Sequence, residues 1–158
     1  MSHSTPRQQS GHVLVIDDDV ELFELIGMRL RAHGLDVSIA PSGREGLARL
    51  QTGDVDAVVL DLRLGDVDGL DVLAQIRSEM PDMPVVMLTA HGTIETAVEA
   101  MRRGAYGFLT KPFQDHELLQ KLVHAVERRA LQREVERLRE QLAGQPRERL
   151  LGVSPAIS

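Results

Sequence analysis

Short runs of Val, Ile and Leu recur along the chain, separated by longer stretches in which apolar and polar positions mix at helical spacing. The apolar runs fall at 12–16 (HVLVI), 36–40 (DVSIA), 55–60 (VDAVVL), 84–88 (PVVML) and 105–109 (AYGFL). Most are continuous rather than alternating, as strands covered on both faces are. The intervening stretches, at about 19–33, 43–51, 69–79 and 93–103, read as helices. Their boundaries carry markers: Gly34 as a C-cap, Ser42 with Glu45 as a capping box, Pro81 as a stop and Gly104 as a terminator.

Five such units predict a parallel sheet between layers of helices, because parallel neighbours need crossover helices. In that class of fold the binding crevice lies beyond the carboxyl ends of the strands. There the sequence places Asp17, Asp18 and Asp19 after the first strand, and Asp61 after the third. Thr89 and Ala90 follow the fourth; Thr110, Lys111 and Pro112 follow the fifth. Acids, a hydroxyl and an amine thus converge on one rim.

A fifth helix starts near Asp115, read as its N-cap, and meets no breaker before Gly144 and Pro146. Its first part (Leu118, Leu119, Leu122, Val123, Val126) carries a stripe wide enough to pack on the sheet. The stripe then narrows to Leu131, Val135, Leu138 and Leu142, the spacing of a two-heptad coiled-coil seam. With Val135 and Leu142 at a, and Leu131 and Leu138 at d, Glu134 falls at g and Arg139 at the following e. That opposite-charge pair favours a parallel homodimer; packing of the seam back onto its own domain is the alternative.

Composition narrows the picture. A chain of 158 residues suffices for one domain with a core, plus an appendage. No cysteine is present, which excludes disulfides and thiolate metal sites and fits a reducing cytoplasm. No window has the ~18 apolar residues of a membrane span, and the opening MSHSTPRQQSG lacks the apolar core of a signal peptide. Residues 1–10 read as a disordered lead-in. Residues 1–126 hold 11 Lys or Arg against 19 Asp or Glu, a net of −8; residues 127–158 hold 7 against 5, a net of +2. Neither part is basic enough to predict direct DNA binding.

Four acids on one rim are costly without a cation, and oxygen donors suit a hard divalent ion, Mg²⁺ or Mn²⁺. With the ion in place one carboxylate can attack a phosphoryl group and form an aspartyl phosphate. Lys111 then supplies charge to the phosphoryl oxygens and Thr89 a hydroxyl donor. The plainer role for Asp17 and Asp18 is helix capping, a task assigned here to Asp19.

The stretches "VIDDD", "LDLRL", "MLTAHG" and "FLTKPF", in this order and spacing, resemble the bacterial response-regulator receiver domain over about residues 11–127. The resemblance implies a flavodoxin-like, doubly wound sheet of five parallel strands in the order 2-1-3-4-5, with five helices. It implies Asp61 as phosphoacceptor, Asp18 as a direct metal ligand, Asp17 as one acting mostly through water, and the backbone carbonyl of Arg63 as a further ligand. Thr89, Ala90 and Lys111 would contact the phosphoryl group. Phe108 would be an aromatic switch that turns inward when Thr89 shifts, with a plain place in the core as the lesser alternative. Lys111–Pro112 would be a cis peptide. Gly65 stands where the family often has proline, and Asp19, Arg63 and His91 occupy positions that the family varies. Tyr106, His116 and His124 are read as packing or surface residues.

Two longer features narrow the resemblance. "TAHGTIETAVEAMRRGAYGFLTKPF" and the long exit helix look like the receivers of NtrC-type transcriptional activators, and "LLGVSPAIS" like the opening of the sigma-54-interacting AAA+ ATPase domain. The implied organisation is a receiver over 11–127, a coiled-coil linker helix over 128–143, and the start of an ATPase domain over 144–158. A sensor histidine kinase, a second copy of the chain, and sigma-54 RNA polymerase reached through the ATPase are the implied partners. The expected protein is a cytoplasmic regulatory phosphoacceptor, not an enzyme beyond its own phosphorylation and dephosphorylation. A stand-alone phosphorelay receiver is one alternative. A haloacid-dehalogenase-type phosphatase is another, since Asp17-Asp18-Asp19 contains an acid-x-acid pair, though the chain has no room for a substrate cap.

Overall fold

A computed structural model describes residues 11–90 and 92–143. Five strands, β1 (His12–Ile16), β2 (Asp36–Ala40), β3 (Ala57–Leu60), β4 (Val85–Thr89) and β5 (Gly107–Thr110), form one sheet in the order β2-β1-β3-β4-β5. Every neighbouring pair is parallel. The helices are α1 (Val20–Ala32), α2 (Gly43–Leu50), α3 (Gly69–Glu79), α4 (Ile94–Arg102) and α5 (Asp115–Ala143). This is the flavodoxin-like order expected from the sequence.

Alternation along the buried strands divides the interior into two cores. Leu14, Ile16, Val58, Leu60, Val85 and Met87 point to one face, where they meet Leu50, Val72, Leu73 and Ile76 of α2 and α3. Val13, Val15, Ala57, Val59, Val86 and Leu88 point to the other, against Phe23, Ile26 and Leu30 of α1 and Leu118 and Leu122 of α5. Both faces being covered, the strands carry apolar residues without interruption.

The boundaries follow the expected markers, with local shifts. Gly34 and Gly104 adopt φ of +86° and +100° and end α1 and α4. Ser42 accepts from the Glu45 N–H at 3.1 Å at the start of α2. The fifth strand begins at Gly107 rather than 105, because the Ala105 N–H turns back to the Ala100 carbonyl at 3.0 Å. The assignment of Asp115 as N-cap is corrected: Asp115 is already helical, and the Gln114 carbonyl accepts from Glu117 at 3.0 Å and Leu118 at 3.4 Å. Asp115 instead pairs with Arg29 of α1 at 3.0 Å.

The 29-residue α5 changes character along its length. Leu118, Leu122, Ala125 and Val126 are buried, whereas Leu131, Val135, Leu138 and Leu142 are 44–67% exposed. The seam is therefore not folded back into a core. Arg133 touches the domain through Asp56 at 2.7 Å, and Asp56 also accepts from the His12 N–H at 2.9 Å. The lead-in and the 144–158 segment lie outside the described residues.

Leu73 is fully buried, so Leu73→Ala is expected to lower stability by about 2–5 kcal/mol, read as a lower urea midpoint at unchanged m-value. In the same assay on dilute protein, the exposed Leu138→Ala is expected to change stability by less than about 0.5 kcal/mol.

Candidate functional site

The sheet order reverses between β1 and β3, and the crevice of a doubly wound fold opens at that switch. Three residues just past strand ends are fixed there by one more rung of the ladder. The Asp17 N–H donates to Ala40 O at 3.0 Å, Asp61 N–H to Ile16 O at 3.0 Å, and Lys111 N–H to Thr89 O at 2.9 Å. Backbone pairing thus sets the spacing of two acids and one amine.

The side chains then divide their valences. Asp17 Oδ1 accepts from the Asp19 N–H at 2.9 Å, and its Oδ2 accepts from Lys111 Nζ at 2.9 Å. Asp61 repeats the pattern, with Oδ1 on the Arg63 N–H at 3.1 Å and Oδ2 3.5 Å from Lys111 Nζ. Asp17 and Asp61 are buried, while Asp18 is exposed at the mouth. Carboxylate oxygens of all three lie within 4.8 Å of one another. The donors are oxygens alone, and three negative charges face one ammonium. That set fits a hard divalent cation. A cleft of about 400 Å³ opens beside it, lined by Asp18, Asp61, Arg63, Ala90 and Lys111 among others.

Burial pushes the Asp17 carboxyl up to about 6, with the Lys111 and Asp19 hydrogen bonds opposing this and the Asp61 charge adding to it. Burial alone would lower Lys111; its hydrogen bond to Asp17 and the charges of Asp17, Asp61 and Asp19 prevail and hold it above the ordinary lysine value. Lys111 also lies 5.8 Å from the centre of the Phe23 ring, whose face favours a cation.

The remaining expected residues border the same place. Thr89 is fully buried at the end of β4, paired in register with Thr110. Phe108 stands opposite Met87 and is partly buried; a Cβ on Gly92 would come within 2.8 Å of its ring. The Lys111–Pro112 peptide is cis. His91 lies outside the described residues.

The loop after Asp61 holds a residue that the sequence reading passed over. Both Asp66 oxygens accept from the start of α2, Oδ1 from Gly43 and Oδ2 from Arg44, each at 3.0 Å. These bonds hold the Asp66 carboxyl below the usual carboxylate range. A carboxylate favours a helix N-terminus, but the partners are 23 and 22 residues away, so no local motif marks the contact. The loop closes further through Gly69 N–H to Leu62 O at 2.8 Å and Asp68 to the Leu70 N–H at 2.8 Å. At Gly69 a Cβ would sit 2.2 Å from the Asp61 carbonyl, so the loop needs glycine.

Fold and rim together define an acid-rimmed, doubly wound α/β domain. The sequence pattern of the response regulator receiver domain matches residues 13–123. The transcriptional regulatory protein GlrR of Escherichia coli (strain K12) is 43% identical over 130 residues, 82% of this chain and 28% of GlrR. The alginate biosynthesis transcriptional regulatory protein AlgB of Pseudomonas aeruginosa is 37% identical over 141 residues, 89% of this chain and 31% of AlgB. NtrX from Brucella abortus, solved with ADP, superposes with a TM-score of 0.74 at 38% identity, covering 86% of this chain and 30% of that one. A receiver domain from Clostridium thermocellum gives 0.71 at 32% identity, covering 77% and 98%. The chain belongs to the response-regulator receiver family of two-component systems. It spans less than a third of the length of GlrR or AlgB. Family membership removes the haloacid-dehalogenase alternative.

Asp17 sets the sign of one pH effect. Its carboxyl rises from 3.8 to about 6 on folding, so between those values the folded state holds a proton that the unfolded state has lost. Stability of the metal-free protein is expected to fall as pH rises from about 4 to 6, by at most on the order of 3 kcal/mol. Asp17→Asn is expected to remove that fall. Urea denaturation across pH 4–7 checks both, and an unchanged slope in the variant refutes the assignment.

Proposed function

We propose that Asp61 accepts a phosphoryl group from the phosphohistidine of a sensor kinase, and that the protein is a switch rather than an enzyme acting on others. One observation carries this reading: the Asp61 carboxylate lies 3.5 Å from Lys111 Nζ and within 4.8 Å of the Asp17 and Asp18 oxygens. A carboxylate oxygen of Asp61 bonds to phosphorus while the phosphorus–nitrogen bond of phosphohistidine breaks, and the imidazole leaves with a proton. Lys111 attracts the phosphoryl oxygens, and Thr89 and Ala90 border them. Asp17, Asp18, Asp61 and the Arg63 carbonyl would hold Mg²⁺ or Mn²⁺. When bound, the ion supplies positive charge to offset that of the incoming group.

The added charge draws Thr89 toward the site, and Phe108 follows into the space Thr89 leaves. This shifts the population between two states of the α4–β5–α5 face. That face carries the apolar stripe Ile94, Val98 and Met101, 48–83% exposed, and its helix α5 carries the exposed seam Leu131, Val135, Leu138 and Leu142. Both suit homodimer formation. The output would be a sigma-54-interacting ATPase in the same polypeptide, supported by the resemblance to NtrC-type receivers. A cytoplasmic location follows from such partners, and among the described residues no helix is long and apolar enough to cross a membrane.

Beryllofluoride with Mg²⁺, which mimics the aspartyl phosphate, is expected to tighten self-association at least tenfold in sedimentation velocity. Asp61→Asn is expected to abolish the response. An unresponsive wild-type protein that nevertheless binds beryllofluoride would leave a stand-alone relay as the better reading. Val135→Asp with Leu138→Asp is expected to prevent dimerisation while leaving beryllofluoride binding intact, as read by a perturbation of Phe23 or Lys111 resonances.

A further inference from the structure

The rim opposite the acids holds a second cleft, of about 430 Å³, between the α3–β4 connection, the α4–β5 turn and the middle of α5. Three arginines line it: Arg77 of α3, and Arg128 and Arg129 of α5. Asp82 is the one carboxylate among the lining residues. Arg77 comes from the acidic stretch 1–126, and Arg128 and Arg129 come from residues 127–158, where the net charge is +2.

The donors there are incompletely used. Arg77 spends its two terminal nitrogens on the carbonyls of Pro81 and Met83, which also fixes its position. Its stem lies against Gly104, where a Cβ would come within 2.8 Å of Cδ. The Nε atoms of Arg77 and Arg129 are shut off from solvent with no acceptor in the described chain. A shielded, charged N–H without a partner is costly, and an oxyanion is the group that satisfies it best. Burial holds Arg129 below the usual arginine value and the Arg133 charge acts in the same direction, while the charges of Asp56, Asp82 and Glu136 oppose them. Tyr106, Pro84 and Ala125 supply less polar wall.

We propose that this cleft binds a small molecule bearing carboxylate or phosphate oxyanions, seated among Arg77, Arg128 and Arg129 at the root of the exit helix. Arg77, fixed by the Pro81 and Met83 carbonyls, supplies positive charge, and the two α5 arginines donate to the ligand from the helix side. A ligand there clamps the point where α5 leaves the domain to the turns that precede β4 and β5. The cleft shares no lining residue with the cleft at Asp61.

The test titrates ¹⁵N-labelled protein, without added divalent cation, with inorganic phosphate in one arm and citrate in the other. Chloride keeps ionic strength constant. Saturable shifts confined to residues around 77, 104–106 and 128–132 are expected, and the stronger of the two probes identifies the ligand class. Arg128→Gln with Arg129→Gln is expected to weaken binding at least tenfold, while loading of Asp61 with beryllofluoride and Mg²⁺ stays unchanged and reports an intact fold. Arg129→Lys retains the charge but loses the forked donors, and is expected to bind at an intermediate strength. Absence of saturable shifts with both probes overturns the proposal. So does equal binding by the double variant.

Discussion

Lys111 holds together a rim that its own acids would otherwise push apart. Charges 3–5 Å apart interact by roughly 3–6 kcal/mol at an effective dielectric near 20. One ammonium touching both Asp17 and Asp61 therefore offsets the repulsion between those two and leaves Asp18 without compensation. The amine is also shared unequally, 2.9 Å from Asp17 and 3.5 Å from Asp61. On the proposed reading, a divalent cation held by Asp17 and Asp18 takes over that balance and leaves Lys111 free to face a phosphoryl group on Asp61. The raised pKa of Asp17 and the need for a cation then have one cause: too much negative charge removed from water.

The same rim is wired to the far side of the domain through few connections. Lys111 hangs on the Thr89 carbonyl, and α5 begins four residues later, at Asp115. At ~1.5 Å per residue, the 29 residues of α5 span about 43 Å, more than the domain needs. The helix is held at its start by Arg29, along its first half by the core, and near its middle by Asp56 through Arg133. On the proposed reading, a small reorientation at the acid rim is carried along this helix to the exposed seam, with the Arg133–Asp56 pair as an anchor near its middle.

The reactive rim was legible in the sequence because its residues are adjacent to strand ends, and strand ends are marked by continuous apolar runs. Asp17 and Asp61 sit one residue beyond such a run and Lys111 two, so topology alone brings them together. The contacts that escaped prediction join residues far apart with no periodic signal. Asp66 caps a helix 22–23 residues earlier, and Arg133 reaches Asp56 across 77 residues. The start of β5 was misplaced for a related reason. Ala105 and Tyr106 look like strand residues, but the positive φ of Gly104 turns Ala105 back to bond the preceding helix.

Dimerisation through the seam alone is a weak proposition. Four side chains over two heptads bury far less than the 1,200–2,000 Å² typical of stable interfaces. On the proposed reading the exposed α4 stripe supplies what is missing: Ile94, Val98 and Met101 recur at i, i+4 and i+7 and so share one side of a short helix. On the domain, α4 adjoins β5, whose Phe108 follows Thr89 on the proposed reading. A seam too short to associate without that stripe makes association depend on the geometry of α4. On the same reading, that dependence lets a charge added at Asp61 govern a contact on the exit helix, which a longer and self-sufficient coiled coil would not permit.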